Sequence, residues 1–256
     1  MILNSVFKRS AEISAGLKQG LLLGAAALVL TLPPAGLATL RPHASLLAFA
    51  DSAAAWRPAA DFASHPASDE ARFVANWVIA SQDNRRLPFV ILDKREARVF
   101  VFAANGRLID TSPVLLGAAV GDDSVAGIGE RPMDHVQPQE RTTPAGRFVS
   151  QPGKNASGED VVWVDYAAAV SMHRVRLVDP KERRFERLAS PDPAQRRISY
   201  GCINIPVAFF ESVIWPVIGA ARGVVYVLPE TKAAREVFAR TDAAGASLSR
   251  TNGPNL

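Results

Sequence analysis

The chain contains one cysteine, Cys202, within the stretch SYGCINIP at residues 199–206. A cysteine acts as a nucleophile when a neighbouring imidazole, a helix N-terminus or both stabilise its thiolate. Gly201 can adopt a backbone conformation closed to other residues, which would expose the thiol and let a carbonyl group approach the backbone amides. Pro206 starts a predicted helix, so the sequence predicts that Cys202 lies at the N-terminus of that helix.

His173 is the residue that could activate this thiol. The alternation in AAAVSMHRVRL places it near the end of a predicted strand, on the same face as Ser171 and Val175. Taken alone, a histidine on a half-apolar face is more often structural, and a lone cysteine is more often a buried apolar group. The remaining histidines lie in other predicted segments: His43, His65 and His135. Cys202 and His173 are therefore the candidate centre for nucleophilic catalysis.

Other catalytic centres find no support in the sequence. It has no HExxH motif and no clustered cysteine and histidine spacing, so no metal site is predicted. It also has no GxSxG motif, which counts against a serine hydrolase of the common α/β type. A cysteine–histidine pair needs no cofactor, and none is predicted.

Composition favours a folded protein without a nucleic-acid partner. The 256 residues are 48% hydrophobic and 21% charged, which predicts one substantial domain with appendages or at most two small domains. The formal net charge is +4, but four of the 29 basic residues and only one of the 25 acidic residues lie in the first fifty positions. The remainder is close to neutral and has no basic motif interleaved with aromatic residues, so no nucleic-acid binding is predicted.

Residues 1–50 predict a signal peptide or N-terminal anchor. Basic residues precede the uncharged apolar run GLLLGAAALVLTL, which ends at Pro33 and Pro34, and AFA at residues 48–50 offers a cleavage site. The double proline favours a cleaved leader, since a spanning helix needs about 20 continuous apolar residues. A buried helix of the fold and an uncleaved anchor remain alternatives. We expect export to the periplasm or cell envelope, with membrane contact only through an uncleaved leader, if at all.

The rest of the chain predicts a mainly β domain. Residues 51–87 predict a linker and a short helix that starts at Ser68, and residues 231–256 predict a short helix and a disordered tail. Between them, residues 88–230 carry strand patterns interrupted by a long loop at residues 117–142. The predicted strands are FVILD, ARVFVFA, RLIDTSPVLLG, RTTPAGRFVS, VVWVDY, AAAVSMHRVRL and GVVYVLP, with a turn at Ala104, Asn105 and Gly106 and a helix at VAFFESVIWPVI.

The segment from about Pro88 to Pro229 resembles the catalytic domain of L,D-transpeptidases, also called the YkuD domain. TPAGRF at residues 143–148 is similar to the family's TPxGxF, and SYGCIN at residues 199–204 is similar to its S/T-H-G-C-x-N/R signature. A hairpin with an Asn-Gly turn comes before them, and a histidine ends a strand between them. The resemblance covers more than half of the chain. It implies a β-sandwich with one helix following the catalytic cysteine and a short N-terminal helix.

The resemblance also implies the catalytic roles. Cys202 matches the nucleophile, and His173 matches the general base and acid. In the family, backbone amides around the cysteine hold the oxyanion, which here implies those of Gly201, Cys202 and Tyr200. The carbonyl group of the residue after the histidine, here Arg174, is expected to orient the imidazole.

Ser199 and Asn204 match two further positions of the signature. We expect both to hold the segment that carries the cysteine, residues 199–204, which we call the nucleophile loop. The alternative is that they are ordinary strand-end and helix-cap residues. The chain departs from the family pattern at Tyr200, where a second histidine is usual, and at Arg174, where glycine is usual. These departures put the substrate contacts and the orientation of the imidazole in question.

His173 lies 29 residues before Cys202, which is farther than the common spacing in the family. The intervening residues 174–198 contain eight basic and four acidic residues. Such a run is usually a solvated surface. The alternative hypothesis is a lid in which Arg196 and Arg197 bind substrate carboxylates through forked hydrogen bonds.

Together these features predict an exported cysteine L,D-transpeptidase that cross-links or modifies peptidoglycan stem peptides through an acyl-enzyme. The expected partner is therefore the stem peptide. Two alternatives stay open. Water in place of the acceptor amine would make the protein an L,D-carboxypeptidase or endopeptidase, and a vestigial Cys202 would make it a non-catalytic binding module of the cell envelope.

Overall fold

Strands dominate the part of the chain that the structure describes. This computed structural model describes residues 59–177 and 179–238. The strands are β1 (Phe89–Asp93), β2 (Arg98–Phe102), β3 (Leu108–Pro113), β4 (Leu116–Gly117), β5 (Gly146–Val149), β6 (Gln151–Lys154), β7 (Asp160–Asp165), β8 (Val170–Arg174), β9 (Arg197–Ser199), β10 (Ile203–Ile205) and β11 (Val224–Val227). The helices are α1 (Asp69–Ser81), α2 (Arg184–Ala189), α3 (Val207–Phe209), a π-helix (Phe210–Gly219) and α4 (Ala234–Phe238). Short 3-10 helices occupy Ile128–Glu130, Met133–His135, Pro138–Glu140, Pro180–Glu182 and Pro193–Arg196.

Helix α1 begins where the sequence predicts it. The Oγ atom of Ser68 accepts a hydrogen bond from the backbone amide of Ala71 at 3.1 Å and so caps the first turn. The same hydroxyl donates to Asp93 at 2.5 Å, which ties the start of α1 to the end of β1. The buried face of α1 consists of Ala71, Val74, Ala75 and Val78.

The larger sheet has the strand order β3-β2-β1-β11-β5, and β1 pairs in parallel with β11. Its inner strands are apolar on both faces because both faces are covered. One face packs against α1 and α4 through aromatic side chains, and Phe89 stacks on Phe102 with ring centroids 4.8 Å apart. Alternate residues such as Val90 and Leu92 point to the opposite face, into the main core.

The smaller sheet has the order β10-β8-β7-β6 and closes the main core from the other side. The core side chains from this sheet are Val162, Val164, Val170, Met172, Ile203 and Ile205. They contact side chains from β1, β2 and β11 of the larger sheet. The two sheets therefore pack face to face, and the prediction of a mainly β, sandwich-like domain is confirmed.

Three strands had no clear signal in the sequence. Strand β6 contains Pro152 and Gly153 and lies at the edge of its sheet, where a missing amide costs no ladder bond. Strands β9 and β10 are three residues long and flank the Gly201–Cys202 turn. Such short strands form because long-range pairing and core burial stabilise them, rather than local propensity.

The predicted helix after the cysteine is confirmed, but Cys202 does not lie at its N-terminus. Strand β10 separates the two, since Ile203 and Ile205 are fully buried and pair with β8. The helix begins at Val207 and soon changes to π geometry, in which the amide of Ala220 donates to the carbonyl of Trp215 at 2.7 Å. The dipole of this helix therefore does not end at the thiol, contrary to the sequence prediction.

The predicted leader at residues 1–50 and the predicted tail at residues 241–256 lie outside the described residues. The structure therefore leaves the predictions of a signal peptide, an anchor and a disordered tail as predictions. Among the described residues, no helix has the length and apolar character needed to cross a membrane.

Candidate active site

Parallel pairing of β8 with β10 brings the candidate residues together. His173 is the register partner of Asn204, and Met172 is the partner of Ile203. Since side chains alternate along a strand, Met172 and Ile203 point into the core, whereas Ser171 and His173 lie on the opposite face. Cys202 immediately precedes β10, so its thiol is placed beside that face.

The thiol of Cys202 has three polar neighbours. Its Sγ atom lies 3.8 Å from the hydroxyl of Ser171 and 3.5 Å from the carbonyl oxygen of Ala169. The imidazole of His173 is the third neighbour, and it is close enough for its hydrogen bonding and charge to lower the pKa of the thiol. The pairing of thiol and imidazole predicted from the sequence is thus present in the structure.

The imidazole of His173 is oriented by the main chain. Its Nδ1 atom lies 2.8 Å from the carbonyl oxygen of Arg174. A carbonyl oxygen only accepts hydrogen bonds, so in the neutral imidazole Nδ1 carries the proton and Nε2 keeps the lone pair. This tautomer is the one that can take a proton from the thiol.

The environment of Cys202 favours the thiolate. Burial of the thiol raises its pKa, but the hydrogen bond and the charge of His173 lower it, and hydrogen bonds from the backbone and hydroxyl of Ser171 add to this effect. The net result is that the pKa of Cys202 lies below the ordinary value for a thiol. The lowering comes from the imidazole and the serine, and not from a helix N-terminus.

Gly201 has the backbone conformation that its position before the nucleophile requires. Its φ angle is +132°, which disfavours other residues, and an added Cβ atom would lie 2.7 Å from the carbonyl oxygen of Thr142. Its own amide donates to Ser199 Oγ at 3.1 Å, so this amide is already used. The expectation that Gly201 contributes to the oxyanion hole is therefore not met.

The amides of Tyr200 and Cys202 remain available. Within residues 59–177 and 179–238, neither amide donates to a protein group. Both flank Gly201 next to the thiol. They are the donors that could stabilise an oxyanion formed on attack by Cys202.

Ser199 and Asn204 both hold the peptide group that follows the nucleophile. The Ser199 hydroxyl donates to the carbonyl oxygen of Cys202 at 2.6 Å, and Asn204 Nδ2 donates to the same oxygen at 3.3 Å. Asn204 is fully buried and Ser199 is nearly so. In addition, the Thr143 hydroxyl donates to the carbonyl oxygen of Gly201 at 2.8 Å. These contacts correspond to the supporting role expected for Ser199 and Asn204.

Arg184 is a site residue that sequence reasoning missed. Its Nη1 atom donates to Asn204 Oδ1 at 2.6 Å, and its Nε atom pairs with Glu182 at 2.5 Å. Only 8% of the residue is exposed. The contact with Arg184 orients the Asn204 amide, so that its NH₂ group faces the carbonyl of Cys202. Within the basic run at residues 174–198, nothing in the sequence distinguishes Arg184 from its neighbours.

Arg196 and Arg197 are not presented to a substrate. The guanidinium group of Arg196 is buried and donates to the carbonyl oxygens of Glu96 and Ser190. That of Arg197 forms an ion pair with Glu230 and contacts backbone carbonyls. The structure therefore gives these two arginines internal partners instead of the lid contacts hypothesised from the sequence.

The Arg197–Glu230 pair is part of a buried ionic cluster that also includes Lys94 and Asp122. Lys94 Nζ lies 2.9 Å from Asp122 Oδ1 and 3.5 Å from Glu230 Oε1, and its side chain is fully buried. Burial raises the pKa of Asp122, but hydrogen bonds from Thr231, Glu230 and Lys94 outweigh that effect and hold the pKa well below its usual range. The cluster connects the loop at residues 117–142 to β9 and to the end of β11.

Tyr200 and Arg174, the two residues that depart from the family pattern, have side chains with defined contacts. The guanidinium carbon of Arg141 lies 4.0 Å from the centroid of the Tyr200 ring. Arg174 Nε pairs with Glu211 at 2.5 Å, and its guanidinium group stacks on Phe210. The side chain of Arg174 therefore turns toward the helical segment after β10, while its carbonyl group orients His173.

Among the described residues, no group of three or more histidine, cysteine, aspartate or glutamate side chains could hold an ion. The site consists of a thiol, an imidazole, backbone amides and the hydrogen bonds that position them.

The comparisons with known proteins find similarity among solved structures. No family model matches the sequence, and no curated protein does. The structure of the avibactam carbamoyl enzyme of Ldtfm is 14% identical, with 56% of this chain and 49% of that chain covered and a TM-score of 0.34. The NMR structure of the catalytic domain of the Enterococcus faecium L,D-transpeptidase is 15% identical in sequence, with 56% of this chain and 98% of that chain covered and a TM-score of 0.32.

An L,D-transpeptidase from Xylanimonas cellulosilytica is also similar, at 15% identity, with 55% of this chain and 60% of that chain covered and a TM-score of 0.33. The chain thus spans about half the length of the first of these proteins and nearly all of the isolated catalytic domain. These solved structures are all L,D-transpeptidases, the family that the sequence resembles.

Proposed function

We propose that the protein is an exported cysteine L,D-transpeptidase that acts on peptidoglycan stem peptides. The observation that carries this proposal is the geometry of the pair: pairing of β8 with β10 brings His173 to Cys202, and the Arg174 carbonyl holds the imidazole as the tautomer that accepts a proton, in agreement with the lowered pKa of the thiol. Export is part of this proposal, and the leader predicted from the sequence of residues 1–50 supports it.

In the proposed reaction, the Cys202 thiolate attacks the carbonyl carbon between the third-position diamino acid and the terminal D-Ala. The amides of Tyr200 and Cys202 stabilise the resulting oxyanion. The carbon–nitrogen bond then breaks, and His173 gives its proton to the leaving amine of D-Ala. The product of this half-reaction is a thioester on Cys202.

The second half-reaction returns the enzyme to its starting state. An amine of another stem peptide attacks the thioester carbonyl and loses its proton to His173, and the thiolate leaves. The result is a peptide cross-link. Water in place of the amine would hydrolyse the thioester, which is the carboxypeptidase or endopeptidase alternative.

The test is acylation by a carbapenem, read as intact mass of the protein. We expect one adduct per chain on the protein and none on the Cys202→Ala variant. Failure of the unmodified chain to form an adduct, or an adduct that persists without Cys202, would contradict the proposal. Analysis of the products from purified stem peptides then distinguishes transfer from hydrolysis.

A further inference from the structure

Arg141 is a cation next to the nucleophile loop, and among the described residues it has no acidic partner. None of the ion pairs within the described residues includes it. The neighbouring carboxylate of Glu140 instead forms a forked pair with Arg131, at 3.1 and 3.2 Å, and accepts from the amide of Gln137. In the part of the chain that the structure describes, no ion pair therefore balances the charge of Arg141.

The backbone of Arg141 is held against the nucleophile loop. Its carbonyl oxygen accepts from the amide of Ala119 at 3.0 Å and lies so close to Gly117 that an added Cβ atom there would approach it to 2.3 Å. The next residue, Thr142, places its carbonyl oxygen against Gly201 in the same way. Arg141 is thus fixed between β4 and the residue that precedes Cys202.

The side chain of Arg141 is preorganised by stacking. Its guanidinium carbon lies 4.0 Å from the centroid of the Tyr200 ring, and Nη2 donates to the carbonyl oxygen of Val136 at 3.3 Å. The Nε atom is buried without a hydrogen-bond partner. Within the described residues no group accepts from Nη1, so the guanidinium group has donor capacity that the protein does not use.

We propose that Arg141, held on the ring of Tyr200, is a subsite that binds a carboxylate of the donor peptide. This proposal rests on the proposed function and deepens it, since stem peptides carry free carboxylates near the scissile bond. A planar guanidinium group binds a carboxylate through charge-assisted hydrogen bonds, and fixing it in advance reduces the entropy lost on binding. Tyr200 then acts as the platform for this arginine, in the place where the family usually has a histidine.

The first test compares Arg141→Met with Arg176→Met on a synthetic stem tetrapeptide, followed by release of D-Ala. Arg176 is a suitable control because it is an exposed arginine that pairs with Glu159. We expect Arg141→Met to raise KM about tenfold to a hundredfold, the loss typical of a charged hydrogen bond, with a smaller change in kcat. Arg176→Met is expected to change neither value.

Amidated peptides identify the carboxylate. One set carries an amide at the C-terminus and another at the side carboxylate of the diamino acid. For one of them, we expect the unmodified enzyme to show the raised KM and Arg141→Met to add nothing further. If Arg141→Met instead raised KM by the same factor for the unmodified peptide and for both amidated peptides, the substitution would be disturbing the nucleophile loop. That result would overturn the subsite.

A second test does not depend on the peptide substrate. Cys202 is alkylated with iodoacetate, an anion, and with neutral iodoacetamide at low salt. A carboxylate-binding arginine held on the ring of Tyr200, two residues before Cys202, predicts that Arg141→Met lowers the rate ratio of iodoacetate to iodoacetamide several-fold, while the iodoacetamide rate stays unchanged. An unchanged ratio, with an enzyme that is active on the tetrapeptide, overturns this inference alone. An enzyme that is inert to both carbapenem and tetrapeptide overturns the proposed function and the subsite with it.

Discussion

The Nδ1 atom of His173 lies 2.8 Å from the carbonyl oxygen of Arg174, so the main chain orients the imidazole that we propose as the general base. A contact made by a backbone carbonyl does not depend on the side chain at that position. This explains how an arginine can stand where glycine is usual in the similar family. The Arg174 side chain turns away to Glu211 and Phe210 and leaves the imidazole contact in place.

The first prediction concerns the pH dependence of thiol reactivity. Because the thiol pKa is lowered by His173, the alkylation rate of Cys202 should rise with pH around a midpoint below about 8.5, the value of a free cysteine. His173→Ala removes the stabilising imidazole and should move this midpoint upward. The measurement is the rate of iodoacetamide labelling between pH 5 and pH 10.

His135→Ala is the matched control for this measurement, since His135 is an exposed histidine outside the site. Its midpoint should equal that of the unmodified protein. A midpoint that is the same in His173→Ala would contradict the assignment of His173 as the partner of the thiol.

The second prediction concerns Arg184 as a positioning residue. Arg184→Met removes the hydrogen bond that orients Asn204, and so weakens one of the two hydrogen bonds that hold the Cys202 carbonyl, while the one from Ser199 remains. We expect carbapenem acylation to slow by about tenfold, or about 1.4 kcal/mol, with partial recovery in Arg184→Lys. The side chain of the adjacent Arg183 is exposed and, within the described residues, its ion pair is with Glu186 at 3.8 Å, so Arg183→Met should acylate normally.

A purely structural role for Arg184 would give a different result. In that case Arg184→Met would lower the melting temperature, while the acylation rate of the folded fraction would stay the same. Measuring both quantities on the same samples separates the two roles.

The third prediction concerns Gly201. Gly201→Ala introduces a Cβ atom that would meet the carbonyl oxygen of Thr142 at 2.7 Å, at a φ angle of +132°. The nucleophile loop must shift to relieve this contact, so we expect acylation to be lost together with about 1 to 3 kcal/mol of stability. Gly158→Ala is the control, because Gly158 also has a positive φ but nothing within 4 Å of an added Cβ atom. It should retain full acylation.

The fourth prediction concerns the buried ionic cluster. Asp122→Ala leaves Lys94 buried without its 2.9 Å partner, and should reduce the free energy of unfolding by about 3 to 5 kcal/mol. Asp123→Ala removes only an exposed pair with Lys232 and should cost about 1 kcal/mol or less. Urea unfolding of both variants gives the comparison, and equal losses would contradict the role assigned to Lys94 and Asp122.

The pKa of Asp122 adds a pH dependence with a defined sign. Since this pKa is lower in the folded protein than in the unfolded chain, the carboxylate stabilises the fold above the unfolded value of about 3.9. That stability is lost as the pH falls below this value. Asp122→Ala should therefore weaken the acid dependence of unfolding.

Much of the fold could be predicted because the signals are local. Ser68 caps α1 through its own hydroxyl, and the alternation around His173 places that residue at the end of a strand. Strand β6 could not be predicted in this way, because Pro152 and Gly153 have low strand propensity and only pairing with β7 holds them.

The sequence by itself determined the chemistry of the candidate site: one thiol after a glycine, one upstream histidine and a serine and an asparagine around the turn. Only the tertiary structure decided which groups serve the thiol. It placed β10 between Cys202 and the helix through pairing with β8, and it brought Arg184 into contact with Asn204. The physical reason is the separation along the chain between the residues that make each contact. Residue type and spacing report contacts between near neighbours, whereas these contacts depend on pairing and burial between segments that are distant in the chain.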